Sequence, residues 1–181
     1  TSVYNHDDAI ENIINYNFKI MAWNKLYLKE LFDEIRFPVG KLHEDEFTIP
    51  YIIDKCSTYC TIDAKLYAYV QRNNSIMSAK FDDRRLCFME AQQQRLDYFG
   101  SRYPGVYDID IIYHYFVNCI EFKIVMGNQY KGSVVEKKVK ELCYLLFCGK
   151  SSIKLKFKVI AYIFFPKALT DYNKRKIGNA L

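Results

Sequence analysis

A chain of 181 residues, half of them apolar, can bury one sizeable core, which excludes a disordered segment and fits one domain plus an extension. Its net charge of +5 hides an asymmetry. Residues 1–100 hold 12 Lys and Arg against 15 Asp and Glu, a balance of −3, whereas residues 101–181 hold 14 against 6, a balance of +8.

The basic half points to an acidic partner: anionic lipid, nucleic acid or an acidic protein. No signal-peptide pattern and no apolar run of about 18 residues occurs, so a membrane-spanning helix is excluded and a cytoplasmic location is expected. The six cysteines lack the spacing of a zinc ribbon or redox pair and are expected to be reduced, mostly buried thiols. Sixteen Tyr against one Trp suit contact with sugars or a membrane surface, or a Tyr-rich core. With no initiator methionine, the chain is expected to be part of something longer.

The first predicted element is a helix in "DDAIENIINY", where Asp7 and Asp8 cap and Ile10, Ile13 and Ile14 share a face. "FKIMAWNKLYL" mixes β-branched, aromatic and polar residues and predicts a strand or a buried approach to "KELFDEI", whose Leu31, Phe32 and Ile35 suggest a short helix. "RFPVGK" ends it. Phe47, Tyr51, Ile52 and Cys56 then follow helical spacing with Pro50 inside the pattern. Proline is tolerated only in the first turn, so this helix cannot begin much before Glu46 or Phe47. Glu44 and Asp45 are thereby placed at its N-terminal mouth, where backbone amides favour negative charge.

"YCTIDAKLYAYVQR" alternates and is rich in Tyr, Val and Thr, predicting one or two strands that end at "RNNS". A long helix is expected from about Asp82 to Tyr98, with Leu86, Met89, Gln93 and Leu96 on its inner face. "FGSRYPGVYD" offers the best boundary. Helices are expected near 108–126 and 133–148, followed by a basic, apolar tail.

Three of these stretches, "AWNKLY" (22–27), "FPVGKLHEDEF" (37–47) and "LYAYVQRNNSI" (66–76), resemble in order and spacing the C-terminal half of the catalytic domain of family 2 glycosyltransferases. Those enzymes have the GT-A fold and build bacterial capsular, exopolysaccharide and cell-wall glycans. The resemblance covers roughly residues 7–100. It implies an α/β fold class, α+β as an isolated fragment: the C-terminal part of a nucleotide-diphospho-sugar transferase sheet, followed by a mostly helical extension. The implied domains are 1–100, the acceptor-side half of the catalytic domain, and 101–181, a helical extension with a basic amphipathic tail.

The implied activity is inverting transfer of a hexose from a nucleotide-diphosphate donor to a glycan or lipid-linked acceptor in surface polysaccharide synthesis. Such a transfer needs a base for the acceptor hydroxyl. The resemblance gives that role to Asp45, with Glu44 beside it. Without the resemblance both residues would read as caps. Trp23, Asn24, Lys25 and His43 fall on the acceptor side of the pocket, although Trp23 would serve equally as a core residue and Lys25 as a solvated strand end. Arg72 and Ser75 fall over the donor diphosphate, where a guanidinium suits phosphate oxygens; Ser75 is as readily a turn residue.

The divalent cation, Mn or Mg, that such enzymes place on the diphosphate needs an acidic pair ahead of these motifs. "DID" at 108–110 comes after them and reads as a cap. The cation's ligands are therefore expected to lie outside this chain, and the isolated chain is expected to be inactive.

Residues 150–176 contain eight Lys and Arg and one acid around "VIAYIFF". They suit peripheral attachment to an anionic membrane face, or an ordinary helix packed on the domain with a solvated lysine side. A non-catalytic oligomerisation or docking module of a polysaccharide-assembly complex is the alternative. A homo-oligomer is compatible with either reading, and no motif supports nucleic-acid binding.

Overall fold

The computed structural model describes residues 1–70 and 82–171, in two compact units, Thr1–Arg102 and Tyr103–Leu181. In the first unit, strand β1 (Ser2–Asn5) pairs antiparallel with β2 (Thr58–Thr61), with Asn5 opposite Thr58 and Ser2 opposite Thr61. This ribbon is the only sheet among the described residues. Helix α1 (His6–Ile14) follows β1 directly, capped by Asn5, whose side chain accepts from the Asp8 amide at 2.8 Å. Its buried stripe, Ala9, Ile10, Ile13 and Ile14, has the helical spacing expected of an amphipathic element. That stripe packs on α2 (Ile49–Asp54), which buries Ile49, Ile52 and Ile53. Phe18 stacks on Tyr59 at 4.4 Å and meets Tyr4 edge-on at 4.9 Å, sealing the ribbon to the core.

Of the two readings of 18–28, a strand or a buried approach, the chain takes the second. Phe18 and Ile20 are buried, but the segment is irregular and runs into a 3₁₀ turn at Lys29–Phe32, which replaces the expected short helix. Among the described residues of the second strand-like stretch, only its start is paired, in β2, because β1 offers just four partner residues. Helix α3 (Cys87–Arg102) is entered through a 3₁₀ turn at Asp83–Leu86, with Asp82 accepting from the Arg84 amide. Its buried face consists of Met89, Gln92, Arg95 and Phe99, with Ala91, and not of Gln93 and Leu96 as predicted. The rotation brings two polar side chains inward, and both have partners.

The second unit is helical. Helix α4 (Asp108–Met126) buries Ile111, Ile112, Tyr115, Phe116, Cys119 and Ile120, and packs on α5 (Val134–Cys148) through Val135, Val139, Leu142 and Leu146. Ser133 caps α5 by accepting from the Glu136 amide at 3.2 Å. Gly149 is required where it stands: a Cβ there would lie 2.6 Å from the Leu145 carbonyl oxygen. Helix α6 (Ile153–Phe164) is capped by Ser152 and rests on α4 and α5 through Val159 and Tyr162, with the Tyr162 ring edge-on to Phe116. All six cysteines are free. Against the expectation of buried thiols, only Cys119 is buried; Cys56, Cys87 and Cys143 are partly exposed, and Cys60 and Cys148 are exposed. No helix among the described residues is long and apolar enough to cross a membrane.

Candidate active site

The acidic triplet is wound into consecutive turns ahead of α2. The Glu46 amide donates to the His43 carbonyl at 3.0 Å, and the Thr48 and Ile49 amides donate to the Asp45 carbonyl at 3.1 and 2.8 Å. The Thr48 hydroxyl donates to the Glu44 carbonyl at 2.9 Å. Pro50 sits in the first turn of α2, where a missing N–H costs nothing. His43 initiates the turns in the left-handed region, φ 59°, with its ring edge-on to Phe88 at 5.3 Å.

Three neighbouring carboxylates meet three different fates. Glu44 is exposed. Asp45 is half-buried, and its Oδ1 accepts from the Glu46 amide at 3.0 Å. Glu46 turns inward. Its Oε2 accepts from Arg95 Nη2 at 2.5 Å and from Gln92 Nε2 at 3.1 Å; Arg95 Nη1 donates to the Tyr16 hydroxyl at 2.8 Å, and that hydroxyl donates to Gln92 Oε1 at 3.2 Å. A closed polar ring therefore joins the acidic turns to α3 and to Tyr16, two residues past the end of α1. Every member has a partner within the ring, and only Arg95 Nε among its buried polar atoms is left without one.

Electrostatics single out Asp45. Burial raises its carboxyl above the ordinary range and Glu44 adds to this, outweighing the amides of Glu46 and Asp45 and the nearby His43. Burial lowers His43, with Arg85 acting the same way and Asp45 and Glu44 opposing. Lys25 is lowered by burial to about 8, with Asp45 opposing. Burial pushes the Tyr27 hydroxyl upward, and Tyr59, Asp45 and Cys56 reinforce it. The field of Asp45 thus reaches Lys25, Tyr27 and His43, so the "AWNKLY" segment and the acidic turns form one electrostatic neighbourhood.

Within that segment Asn24 adopts φ 66°, a conformation that asparagine tolerates better than most residues. The turn is tied by the Lys25 ammonium, which donates to the Met21 carbonyl at 2.7 Å and to Asn24 Oδ1 at 3.2 Å, and by the Tyr27 hydroxyl, which donates to the Ala22 carbonyl at 3.2 Å. Trp23 is half-buried and stacks on Tyr67 and Tyr69, each at 4.9 Å with near-parallel rings. Both tyrosines are exposed, so the three rings make an aromatic platform at the surface. Arg72 and Ser75 lie outside the described residues.

The sequence reading missed Tyr27, the two platform tyrosines and the inward Glu46. The "LYAYV" alternation carried the signal for Tyr67 and Tyr69, since residues two apart can face the same side. Nothing local marked Glu46 as different from its neighbours. Among the described residues no three His, Cys, Asp or Glu side chains gather as metal ligands would.

Over 77 residues, the chain is 30% identical to the glycosyltransferase GlyA of Streptococcus pneumoniae serotype 4, strain ATCC BAA-334 / TIGR4. The chain is related to a glycosyltransferase. The matched stretch is 42% of this chain and 11% of that protein's length. No family model matches the chain. No solved structure matches it.

Proposed function

We propose that residues 1–102 form the acceptor side of an inverting glycosyltransferase of family 2, with a GT-A catalytic domain completed by residues beyond this chain, and with Asp45 as the catalytic base. The observation that carries the proposal is the placement of Asp45. It is a half-buried carboxylate with raised proton affinity, in turns braced by the Glu46–Arg95 pair, within reach of the fields of Lys25, Tyr27 and His43. A base tuned upward from the usual carboxylate range is better matched to proton transfer near neutral pH.

In the proposed reaction the acceptor hydroxyl gives its proton to an Asp45 carboxylate oxygen as its own oxygen bonds the anomeric carbon. The bond from that carbon to the diphosphate breaks, and the nucleoside diphosphate leaves with the electron pair. Attack from the face opposite the leaving group inverts the centre. Lys25, Asn24 and His43 would orient acceptor hydroxyls, and the Trp23–Tyr67–Tyr69 platform would take a sugar ring against an aromatic face. Arg72 and Ser75 are proposed for the donor diphosphate. A divalent cation, when bound by the donor half, would neutralise diphosphate charge.

The test is Asp45→Asn in a polypeptide that carries residues 1–181 behind its donor-binding half, assayed for acceptor-dependent release of nucleoside diphosphate from a panel of nucleotide sugars. Loss of a base predicts a fall in kcat of about 10²–10⁴ with little change in donor KM. In the parent, kcat should decline as pH falls through the raised Asp45 value, because protonation removes the base. Unchanged turnover in Asp45→Asn would refute the assignment.

A further inference from the structure

The inference concerns α6, and it does not depend on Asp45 or on any sugar chemistry. This helix is apolar on two opposite sides. Val159 and Tyr162 are buried against α4 and α5, 0% and 3% exposed. Ile153, Phe157, Ile160 and Phe164, at spacings of four, three and four, form a second stripe about half a turn away that faces outward. Its members are 75%, 67%, 37% and 71% exposed. A helix needing only one packed side has no reason to carry large side chains on the other, and a contiguous exposed apolar face marks an interaction surface.

The flanks of the stripe identify the partner. On a helical wheel Lys154 borders it on one side and Lys156 on the other, with Lys158 farther round toward the packed side. From residue 142 to residue 170 the chain contains five lysines, Lys150, Lys154, Lys156, Lys158 and Lys167, and no Asp or Glu. Lys158 also sits over the Tyr113 ring at 5.9 Å, so its stem runs along the helix flank. Apolar side chains at the centre with ammonium groups on both borders match a lipid surface, where the stripe enters the acyl boundary and the lysines remain among anionic headgroups. A protein groove would need an apolar floor and an acidic rim matched to this one helix, whereas an anionic bilayer supplies both along the whole stripe. At twelve residues, and so about 18 Å, α6 is too short to span a bilayer and suited to lying on it.

We propose that the outward face of α6, Ile153, Phe157, Ile160 and Phe164 with the flanking lysines, docks the chain on an anionic lipid surface. The experiment is co-sedimentation of the 181-residue chain with vesicles of phosphatidylcholine alone and of phosphatidylcholine with roughly one-third phosphatidylserine, at low and high salt. Binding is expected only to the anionic vesicles, weakening as salt rises. Phe157→Ser/Phe164→Ser, at exposed positions, should lower the partition coefficient by about ten-fold or more with an unchanged circular dichroism spectrum. Lys154→Gln/Lys156→Gln should lower it several-fold and flatten the salt dependence. The proposal fails if the parent ignores anionic vesicles, if the Phe variant binds equally well, or if the stripe instead supports a dimer that the Phe variant dissociates without any vesicle binding. No donor or acceptor enters this measurement, so its outcome is separate from that of the transfer assay.

Discussion

Arg95→Met would leave the Glu46 carboxylate facing a thioether where a guanidinium had been. The Arg95 side chain is 2% exposed and that of Glu46 12%, so water cannot replace the lost partner without opening the core. Removing one member of a buried pair costs roughly 3–5 kcal/mol, whereas replacing both by apolar groups can be nearly neutral. For a unit of about 100 residues each kcal/mol moves the midpoint by about 4–8 °C, so Arg95→Met should lower the Tm by at least ~12 °C. Arg95→Met/Glu46→Leu should recover more than half of the loss; the remainder reflects Tyr16 and Gln92, which lose partners worth ~1 kcal/mol each.

The deficit should also depend on pH. Burial already raises the Glu46 carboxyl against the pull of Arg95, and without the guanidinium it rises further. With the folded value above the unfolded value of about 4.3, the protonated form favours the folded state. The penalty is therefore fully present at neutral pH and fades as pH falls toward the unfolded value. Urea unfolding followed by circular dichroism at pH 7 and near pH 4.5 measures both effects. An Arg95→Met midpoint within error of the parent, or a double variant no better than the single one, would refute the argument.

Lys25 supplies a second pH test of opposite sense. Its folded value of about 8 lies below the ordinary value of 10.5, so the folded state releases the proton first, and stability attributable to Lys25 grows as pH rises from about 8 toward the unfolded value. Parent and Lys25→Met unfolding midpoints should converge or diverge in the parent's favour between pH 7 and 10; parallel curves would contradict the burial of this ammonium. At Asn24, φ 66°, Ala and Gly both lose the Oδ1 contact with Lys25, and so their difference isolates the backbone. Asn24→Ala should be about 1 kcal/mol less stable than Asn24→Gly by urea midpoint, and equal midpoints would refute the left-handed assignment.

The elements most legible in the sequence were those whose signals are local. Helix α1 has its isoleucine stripe, α4 and α5 have apolar periodicity, and Pro50 marks the start of α2. The strand reading fared worse at 62–70, where alternation serves something other than pairing. Tyr67 and Tyr69 recur at period two because both rings meet the Trp23 indole. The inner face of α3 was misjudged because hydrophobicity cannot announce that Arg95 will be buried; only Glu46, 49 residues earlier, makes that placement tolerable. The same holds for Asp45. Its charge was visible in the sequence, but whether burial or the backbone amides would govern its proton affinity depended on packing that only the folded chain supplies.

The small ribbon has a consequence for how the site can vary. Asn5 pairs with Thr58, and His6 Nδ1 lies 3.0 Å from the Cys56 carbonyl oxygen, so both ends of the stretch holding α1, the "AWNKLY" turn, the acidic turns and α2 are fastened together. The entropy of closing such a loop grows only logarithmically with length, about 0.6 kcal/mol per doubling. A few residues added or removed in the irregular run between Phe18 and Gly40 would barely alter the cost of closure. The frame that holds Asp45 and the wall proposed to face an acceptor can therefore change independently, with β1 and β2 acting as the clasp that lets one be redrawn without dismantling the other.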